Sequence, residues 1–231
     1  MRRWIERVTG APGSTSFRRF RRIVSAANER GQWAGDLDDA DLSRAARAAL
    51  ISPGRSAVVE PTADLLAVLR TAARRTLGEE PFDEQLLAAC ALAAGNAVEM
   101  DTGEGKTLAG ALAAAAFAVA GRRVHVLSVN DYLAERDAAW MRPLFDSLDI
   151  RVGWVGQHTP LMTRAEMYRL DVVYAPVSEV GYDVLRDRFA TTEADRVSPV
   201  LDVAIVDEAD AVLIDEAVSP LVLAGTSTDS P

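Results

Sequence analysis

The sequence predicts an α/β fold in which a mainly parallel sheet is covered by helices on both faces and is preceded by N-terminal helices. Three observations lead to this prediction. Short apolar runs alternate with helical patterns in the second half of the chain, helical patterns fill most of the first 80 residues, and the 231 residues are 49% hydrophobic. A chain of this size and composition can bury one substantial core.

Four apolar runs are expected to form the strands. They are separated by helical patterns, which is typical of parallel sheets with both faces buried. The strands are predicted at residues 124–129, 151–155, 171–175 and 201–206. Asn130 follows the first strand and is expected to cap the helix that begins after it.

Residues 1–80 are predicted to form a helical segment. Residues 17–30 place Phe, Ile and Val at helical spacing between arginines, residues 36–50 form a second helix, and a third runs from Thr62 to Gly78. A basic amphipathic helix such as the first either lies on anionic lipid or docks onto another part of the protein.

Charge and composition narrow the function classes. The net charge is −9, although residues 1–30 carry a net +6. Because the rest of the chain is so acidic, no nucleic-acid partner is expected. A single cysteine, Cys90, excludes an internal disulfide and fits a reducing cytoplasm. No stretch predicts a transmembrane helix or signal peptide, so a cytoplasmic protein that can attach peripherally to a membrane is expected.

The clearest chemical motif is the glycine-rich stretch EMDTGEGKTL at residues 99–108. It follows a short apolar run at residues 97–98 and opens into an Ala- and Leu-rich segment, which predicts a strand, a loop and a helix. The backbone N–H groups of Gly103, Glu104 and Gly105 would face one concavity at a helix N-terminus. Such a concavity binds phosphate.

Lys106 and Thr107 complete this motif. Lys106 would reach the β- and γ-phosphates of a nucleotide, and the Thr107 hydroxyl would hold Mg²⁺. Lys106 is the only lysine among 25 basic residues, and an arginine fork does not fit such a cradle in the same way. Met100 stands where a full P-loop has its first glycine. The alternative interpretation is an ordinary turn before a helix.

Gln85, in the stretch PFDEQLL, lies in the first turn of a helix that Asp83 is expected to cap. A carboxamide there could pair with the N6 donor and the N7 acceptor of adenine, although an exposed glutamine in a first turn is ordinary.

Asp207 and Glu208 follow an apolar run, at the carboxyl end of a predicted strand. Asp207 would hold Mg²⁺, directly or through water, and Glu208 would orient and deprotonate the attacking water. The alternative is an acidic helix start.

Five motifs occur in a fixed order: PFDEQLL, EMDTGEGKTL, VHVLSVNDYLAERDAAWM, VYAPVSEVGYDVLRD, and IVDEAD followed by IDEA and PLVLAG. Together they closely resemble the first nucleotide-binding lobe of SecA, the ATPase motor of bacterial preprotein translocation. The resemblance covers about residues 17–225. The NDYLA-x-RD stretch and the repeated acidic IDEA distinguish it from DEAD-box RNA helicases. Ala209 and Val218 resemble the accessory, second SecA of actinobacteria.

The resemblance implies a RecA-like P-loop NTPase lobe over residues 81–225, with a polar frayed end at 226–231. It implies ATP and Mg²⁺ as cofactors, Gln85 on the adenine, and residues 103–107 on the phosphates and the metal. Lys106, Asp207 and Glu208 would be the catalytic residues. Preproteins and the Sec membrane channel would be partners through other domains, and residues 1–30 could contact an anionic membrane at the inner face of the cell membrane.

SecA proteins continue beyond these motifs into a preprotein-binding domain and a second motor lobe. The arginines that stabilise a transferring phosphate come from that second lobe and are typically worth about 10³–10⁵ in rate. The chain alone is therefore expected to bind nucleotide weakly, with little turnover. Two other hypotheses remain: a nucleic-acid-dependent ATPase lobe of the helicase type, and a truncated module that binds without catalysis.

Overall fold

The computed structural model describes residues 17–50, 58–193, 196–197, 199–215 and 217–222. The chain divides into two compact units, Met1–Ala113 and Ala114–Pro231. The predicted polar end at 226–231 and the first 16 residues lie outside the described residues.

Helices form the regular structure of the first unit, as far as it is described. They are α1 Arg18–Glu29, α2 Gly31–Asp36, α3 Asp39–Ala48, α4 Ala63–Leu77 and α5 Asp83–Ala93, and α6 Lys106–Val119 begins in this unit. The domain boundary predicted at residue 80 stays a prediction. Among the described residues, no helix combines the length and the apolar character that crossing a bilayer requires.

Side chains and a glycine set the ends of these helices. The Asp38 carboxylate accepts a hydrogen bond from the N–H of Asp41 at 2.7 Å, and the Thr62 hydroxyl accepts one from the N–H of Leu65 at 3.1 Å. Helix α4 ends at Gly78, whose φ of 71° is the left-handed conformation that favours glycine. The predicted helix from Thr62 to Gly78 is therefore confirmed.

The apolar side of α1 is covered by protein. Phe20, Val24 and Ala27 are buried, and α1 packs against α4 and α5 within the first unit. These side chains are not available to insert into lipid. The packing therefore favours the docking interpretation of this basic amphipathic helix.

The second unit contains a parallel sheet. In the described part of the chain its strands are β1 Val124–Ser128, β2 Val152–Trp154, β3 Val172–Pro176 and β4 Val203–Val206, in the spatial order β2-β3-β1-β4. The helices between them are α7 Asp131–Ser147, α8 Leu161–Met167 and α9 Val177–Phe189, and a π-helical turn, Ala211–Asp215, follows β4. The four predicted strands are confirmed, and the Asn130 side chain caps α7 as expected.

Helices cover both faces of this sheet. Helix α7 lies on one face, where the rings of Phe145 and Tyr174 are 6.4 Å apart. The opposite face carries Val173 and Ala175, which pack in one cluster with Val180 of α9 and with residues of α8. The predicted α/β class, a RecA-like lobe with a parallel sheet covered on both faces, is confirmed.

The strand predicted just before the glycine-rich loop is wrong. Residues 96–100 have no strand assignment; Ala97 is exposed and Val98 only half-buried. Two apolar residues that stay this accessible gain too little from burial to fix a strand. Strand β4, for its part, has a neighbour on one side only in the described part of the sheet.

Candidate functional site

The glycine-rich loop has a backbone that only glycine adopts readily. Gly103 and Gly105 have φ angles of 90° and 79°, and the N–H of Glu104 donates to the Asp101 carbonyl at 3.3 Å. The loop leads directly into α6, whose first hydrogen bond runs from the N–H of Ala109 to the Gly105 carbonyl at 3.1 Å. The earlier N–H groups of such a helix lack intrahelical partners, so they can bind an anion.

Gln85 supports this loop from α5. Its side chain is 8% exposed, and Nε2 donates to the Glu104 carbonyl at 3.0 Å. A Cβ atom on Gly105 would overlap that amide nitrogen. Glycine is therefore required at position 105 for two reasons: the positive φ angle and the close approach of Gln85. The structure thus brings together three residues of the predicted site: Gln85, Glu104 and Gly105.

The Gln85 carboxamide also closes the start of α5. Its Oε1 accepts from the N–H of Phe82 at 3.0 Å, and Phe82 is the capping position. The prediction that Asp83 caps this helix is wrong, because Asp83 is its first residue and binds Arg70 and Asn28 instead. The adenine role of Gln85 stays a prediction. Its amide retains a second N–H and a second lone pair for a ligand.

Lys106 and Thr107 occupy the first turn of α6. Both are half-buried, whereas residues 101–104 are exposed. The predicted phosphate-binding loop is thus exposed, and the two residues that follow it, Lys106 and Thr107, are partly buried. A hydroxyl, as predicted for Thr107, is an oxygen ligand of the kind that Mg²⁺ takes together with phosphate and water.

Asp207 and Glu208 follow β4 directly in the second unit. The N–H of Asp207 donates to the Leu127 carbonyl at 2.8 Å, which continues the pairing of β4 with β1 by one residue. Asp207 is half-buried and Glu208 is exposed. Both carboxylates therefore stand at the carboxyl end of a parallel sheet, where α/β folds place their chemistry.

Glu208 has an unusual backbone conformation. Its φ is 50°, one of two positive values among the described residues other than glycine. Its N–H donates to Oδ1 of Asp207 at 3.0 Å, and its carbonyl accepts from the N–H of Val212 at 3.1 Å. A left-handed residue other than glycine costs free energy, and such positions cluster at functional sites. The turn that holds the two carboxylates is therefore itself strained.

Sequence reasoning missed two side chains that interact electrostatically with Asp207. Asp137 of α7 is 4% exposed, and Arg136 donates to its Oδ1 at 2.7 Å. Burial raises the pKa of Asp137, Arg136 opposes this, and the charge of Asp207 adds to it. Burial also raises the pKa of Tyr174, with further contributions from Asp137 and Asp207. The pattern NDYLAERD contains Asp137, but helical spacing gives no reason to single it out.

A buried ion cluster lies on the other face of the sheet, within the second unit. Arg164 is 4% exposed and donates to Glu179 at 2.6 Å and to Asp183 at 2.8 Å. It also donates to the carbonyls of Gly156 and Thr159, at 2.6 and 2.9 Å. The cluster joins α8, α9 and the loop after β2. No sequence pattern predicted it, since its members are far apart along the chain.

Comparison with known proteins agrees with this architecture. Residues 5–231 match the family described as "SecA DEAD-like domain". The chain is 50% identical over 226 residues to protein translocase subunit SecA 2 of Thermobifida fusca, covering 96% of this chain and 29% of that protein. It is also 50% identical over 231 residues to protein translocase subunit SecA 2 of Mycolicibacterium smegmatis, covering 94% of this chain and 29% of that protein.

A third relative, protein translocase subunit SecA of Mycobacterium avium, is 48% identical over 221 residues, which are 96% of this chain and 28% of that protein. The chain thus spans less than a third of the length of these relatives. The family match covers nearly the whole chain and includes the glycine-rich loop, Gln85 and the Asp207–Glu208 pair. The chain belongs to the SecA DEAD-like domain family.

Proposed function

We propose that the chain is the ATP-binding lobe of a SecA-type motor that drives preproteins across the cytoplasmic membrane through the Sec channel. The observation that carries the proposal is the glycine-rich loop: two glycines with positive φ, fixed by Gln85, lead into a helix that begins with Lys106. This combination of backbone donors and a lysine suits a nucleoside triphosphate. The names of the relatives, protein translocase subunits, support the transport role.

In this proposal the loop and α6 bind the phosphates. The N–H groups of residues 103–107 donate to phosphate oxygens, and the Lys106 ammonium neutralises the β- and γ-phosphates. The Thr107 hydroxyl would be a ligand of Mg²⁺. Gln85 reads adenine with the donor and the lone pair that its contacts with Phe82 and Glu104 leave free.

Asp207 and Glu208 supply the hydrolytic chemistry. Asp207 would hold Mg²⁺ directly or through water, and the bound ion would supply positive charge beside the phosphates. Glu208 accepts a proton from the attacking water and orients it. The N–H of Glu208 donates to Oδ1 of Asp207, so the two carboxylates have different hydrogen-bonding environments.

The chain by itself is proposed to bind nucleotide with little turnover. It spans about 29% of the relatives that it matches, and the proposed motor needs arginines from a second lobe to stabilise the transferring phosphate. Preproteins and the Sec channel are proposed partners of the whole protein, at the inner face of the cell membrane. The arginines of α1 are proposed to add attraction to anionic lipid without inserting the helix.

The acidic composition favours this role over a helicase-type ATPase. Outside residues 1–30 the chain carries a net charge of −15, which repels a phosphate backbone. Stimulation of ATP turnover in the complete protein by RNA, and not by preprotein or membranes, would instead support the helicase type.

Titration of the chain with a fluorescent ATP analogue tests the proposal. Lys106→Ala should weaken binding about tenfold or more, because it removes a charge-assisted contact to phosphate. Arg44→Ala is the matched control: it removes one positive charge from an exposed side chain of the same unit. Equal affinities for wild type and Lys106→Ala would contradict the proposed site, and rapid ATP turnover by the chain alone would contradict its dependence on a second lobe.

A further inference from the structure

The hydroxyl of Tyr174 is buried without a hydrogen-bond partner among the described residues. Tyr174 is 2% exposed and lies in β3, in the middle of the sheet. Buried hydroxyls in folded proteins nearly always have a partner, because losing water without replacing its hydrogen bond is costly. The position of this hydroxyl therefore needs an explanation.

The sheet register places Tyr174 on the same face as Asp207. Tyr174 is paired with Val126 of β1, and Val126 is paired with Ile205 of β4. Side chains alternate between the faces of a strand, so Asp207, two residues after Ile205, projects to this same face. The face is the one that α7 covers through Phe145.

Helix α7 brings Asp137 to this face. Asp137 precedes Phe145 by eight residues, a little over two helical turns, and therefore lies on the same side of the helix. Because α7 begins just after the carboxyl end of β1, Asp137 is nearer that end of the sheet than Phe145. The negative charges of both Asp137 and Asp207 act on Tyr174, which agrees with this placement.

Each carboxylate has one oxygen already bound. Arg136 donates to Oδ1 of Asp137, and the N–H of Glu208 donates to Oδ1 of Asp207. The Oδ2 atoms can still accept. A water molecule between them could accept from the Tyr174 hydroxyl and donate one hydrogen to each carboxylate. Three such bonds are typical of a buried structural water.

We propose that Asp137 and Tyr174 are positioning residues for Asp207, joined to it through one buried water that fixes the orientation of its carboxylate. The inference rests on the proposed metal role of Asp207. It assigns to α7 a function beyond packing: its residue Asp137 helps to orient the carboxylate that is proposed to bind the metal. Partners of this kind typically change metal affinity or activity about 10–100-fold when they are removed.

Magnesium titrations of nucleotide binding test this proposal. Tyr174→Phe and Asp137→Asn should each reduce the gain in nucleotide affinity that Mg²⁺ provides, by about tenfold, and should leave the affinity in EDTA unchanged. Tyr182→Phe is the control: it removes a hydroxyl from a partly exposed tyrosine on α9, which packs on the opposite face. Asp207→Asn reports separately on the proposed metal ligand.

The outcomes separate the two hypotheses. If Asp207→Asn abolishes the Mg²⁺ effect but Tyr174→Phe and Asp137→Asn do not change it, the positioning role is wrong and the metal role stands. If Asp207→Asn has no effect, the metal role is wrong. The shared water is then judged by a double-mutant cycle of Tyr174→Phe and Asp207→Asn in urea unfolding. Non-additive losses of stability support the shared water, and additive losses overturn it.

Discussion

Gln85 donates from Nε2 to the carbonyl of Glu104 at 3.0 Å, so a helix side chain holds the glycine-rich loop by its backbone. Since Oε1 of the same carboxamide accepts from the N–H of Phe82, one side chain fixes both the start of α5 and the loop. Any ligand that moves the loop must also act on Gln85. The contact therefore links the proposed adenine-reading residue to the proposed phosphate cradle.

Gly105→Ala should weaken both stability and nucleotide binding. The new Cβ would overlap the Gln85 amide at a φ of 79°, so its cost combines backbone strain with overpacking. Gly103→Ala shares the positive φ but meets no atom within 4 Å, and should cost only about 1–2 kcal/mol of strain. In urea unfolding, the free energy of unfolding of Gly105→Ala should be lower than that of Gly103→Ala by a further ~1–3 kcal/mol. Equal losses in both variants would contradict the role assigned to the Gln85 contact.

Gln85→Ala should reduce the preference for ATP over GTP. The substitution removes the donor and the acceptor that would read adenine, and it also releases the Glu104 carbonyl, so the affinity for both nucleotides should fall. Competition of ATP and GTP against a fluorescent analogue measures the two effects. Gln32→Ala, at an exposed position of the same unit, is the control. An unchanged ratio of affinities would limit Gln85 to supporting the loop.

Glu208→Gln should leave nucleotide binding intact and slow hydrolysis in the complete protein by about 10²–10⁴-fold. The amide keeps the size of the side chain but cannot accept the proton of the attacking water. Steady-state ATP turnover and equilibrium binding, measured on the same preparation, separate the two quantities. Asp210→Asn removes a neighbouring exposed charge and should change neither. Wild-type turnover by Glu208→Gln would exclude it as the general base.

Arg164→Met should destabilise the second unit by about 3–5 kcal/mol, because it leaves Glu179 buried without the cation it pairs with and leaves Asp183 paired with Arg186 alone. The exposed pair of Arg151 and Asp171 gives the contrast. Its arginine is 60% exposed, so Arg151→Met should cost less than about 1 kcal/mol. Chemical unfolding of both variants checks the difference, and similar losses would mean that the buried cluster adds no more than a surface ion pair.

The ion pair between Arg122 and Asp202, which lies just before β4, should make the stability of the chain depend on pH. Hydrogen bonds from Arg122 and from the N–H of Arg123 hold the pKa of Asp202 below its usual range. A carboxyl group with a depressed folded-state pKa contributes stability above its unfolded pKa of about 3.9, and this contribution is lost as the pH falls through the folded pKa. Asp202→Asn should therefore reduce stability at pH 7 and have little effect near pH 2. A loss that stays constant with pH would contradict this assignment.

Local patterns predicted the parts of the fold that local chemistry determines. Apolar runs marked all four strands, and Thr62 and Asn130 marked helix starts because their side chains can accept from the backbone three residues on. The strand predicted before the loop is wrong, since its apolar run has only two residues, Ala97 and Val98, and both remain accessible. The cap at Asp83 failed because Arg70 and Asn28, distant in sequence, compete for its carboxylate.

Motif spacing identifies candidate residues of the site, namely Lys106, Thr107 and the Asp207–Glu208 pair, and their roles stay predictions. The contacts that support the site could not be predicted from the sequence. The contact of Gln85 with the Glu104 carbonyl, the buried hydroxyl of Tyr174 and the cluster around Arg164 depend on which elements pack together. Hydrophobic periodicity reports that a side chain is buried, but not what it meets there.

Strand β4, with a single neighbour in the described part of the sheet, presents a row of backbone donors and acceptors along Val203–Val206. Neither charge nor proline interrupts this short apolar run, although natural edges commonly carry such interruptions. In the part of the chain that the structure describes, this edge is therefore open to strand addition. It should associate edge to edge as its concentration rises, and a complementary β-strand peptide supplied in trans should keep it dispersed.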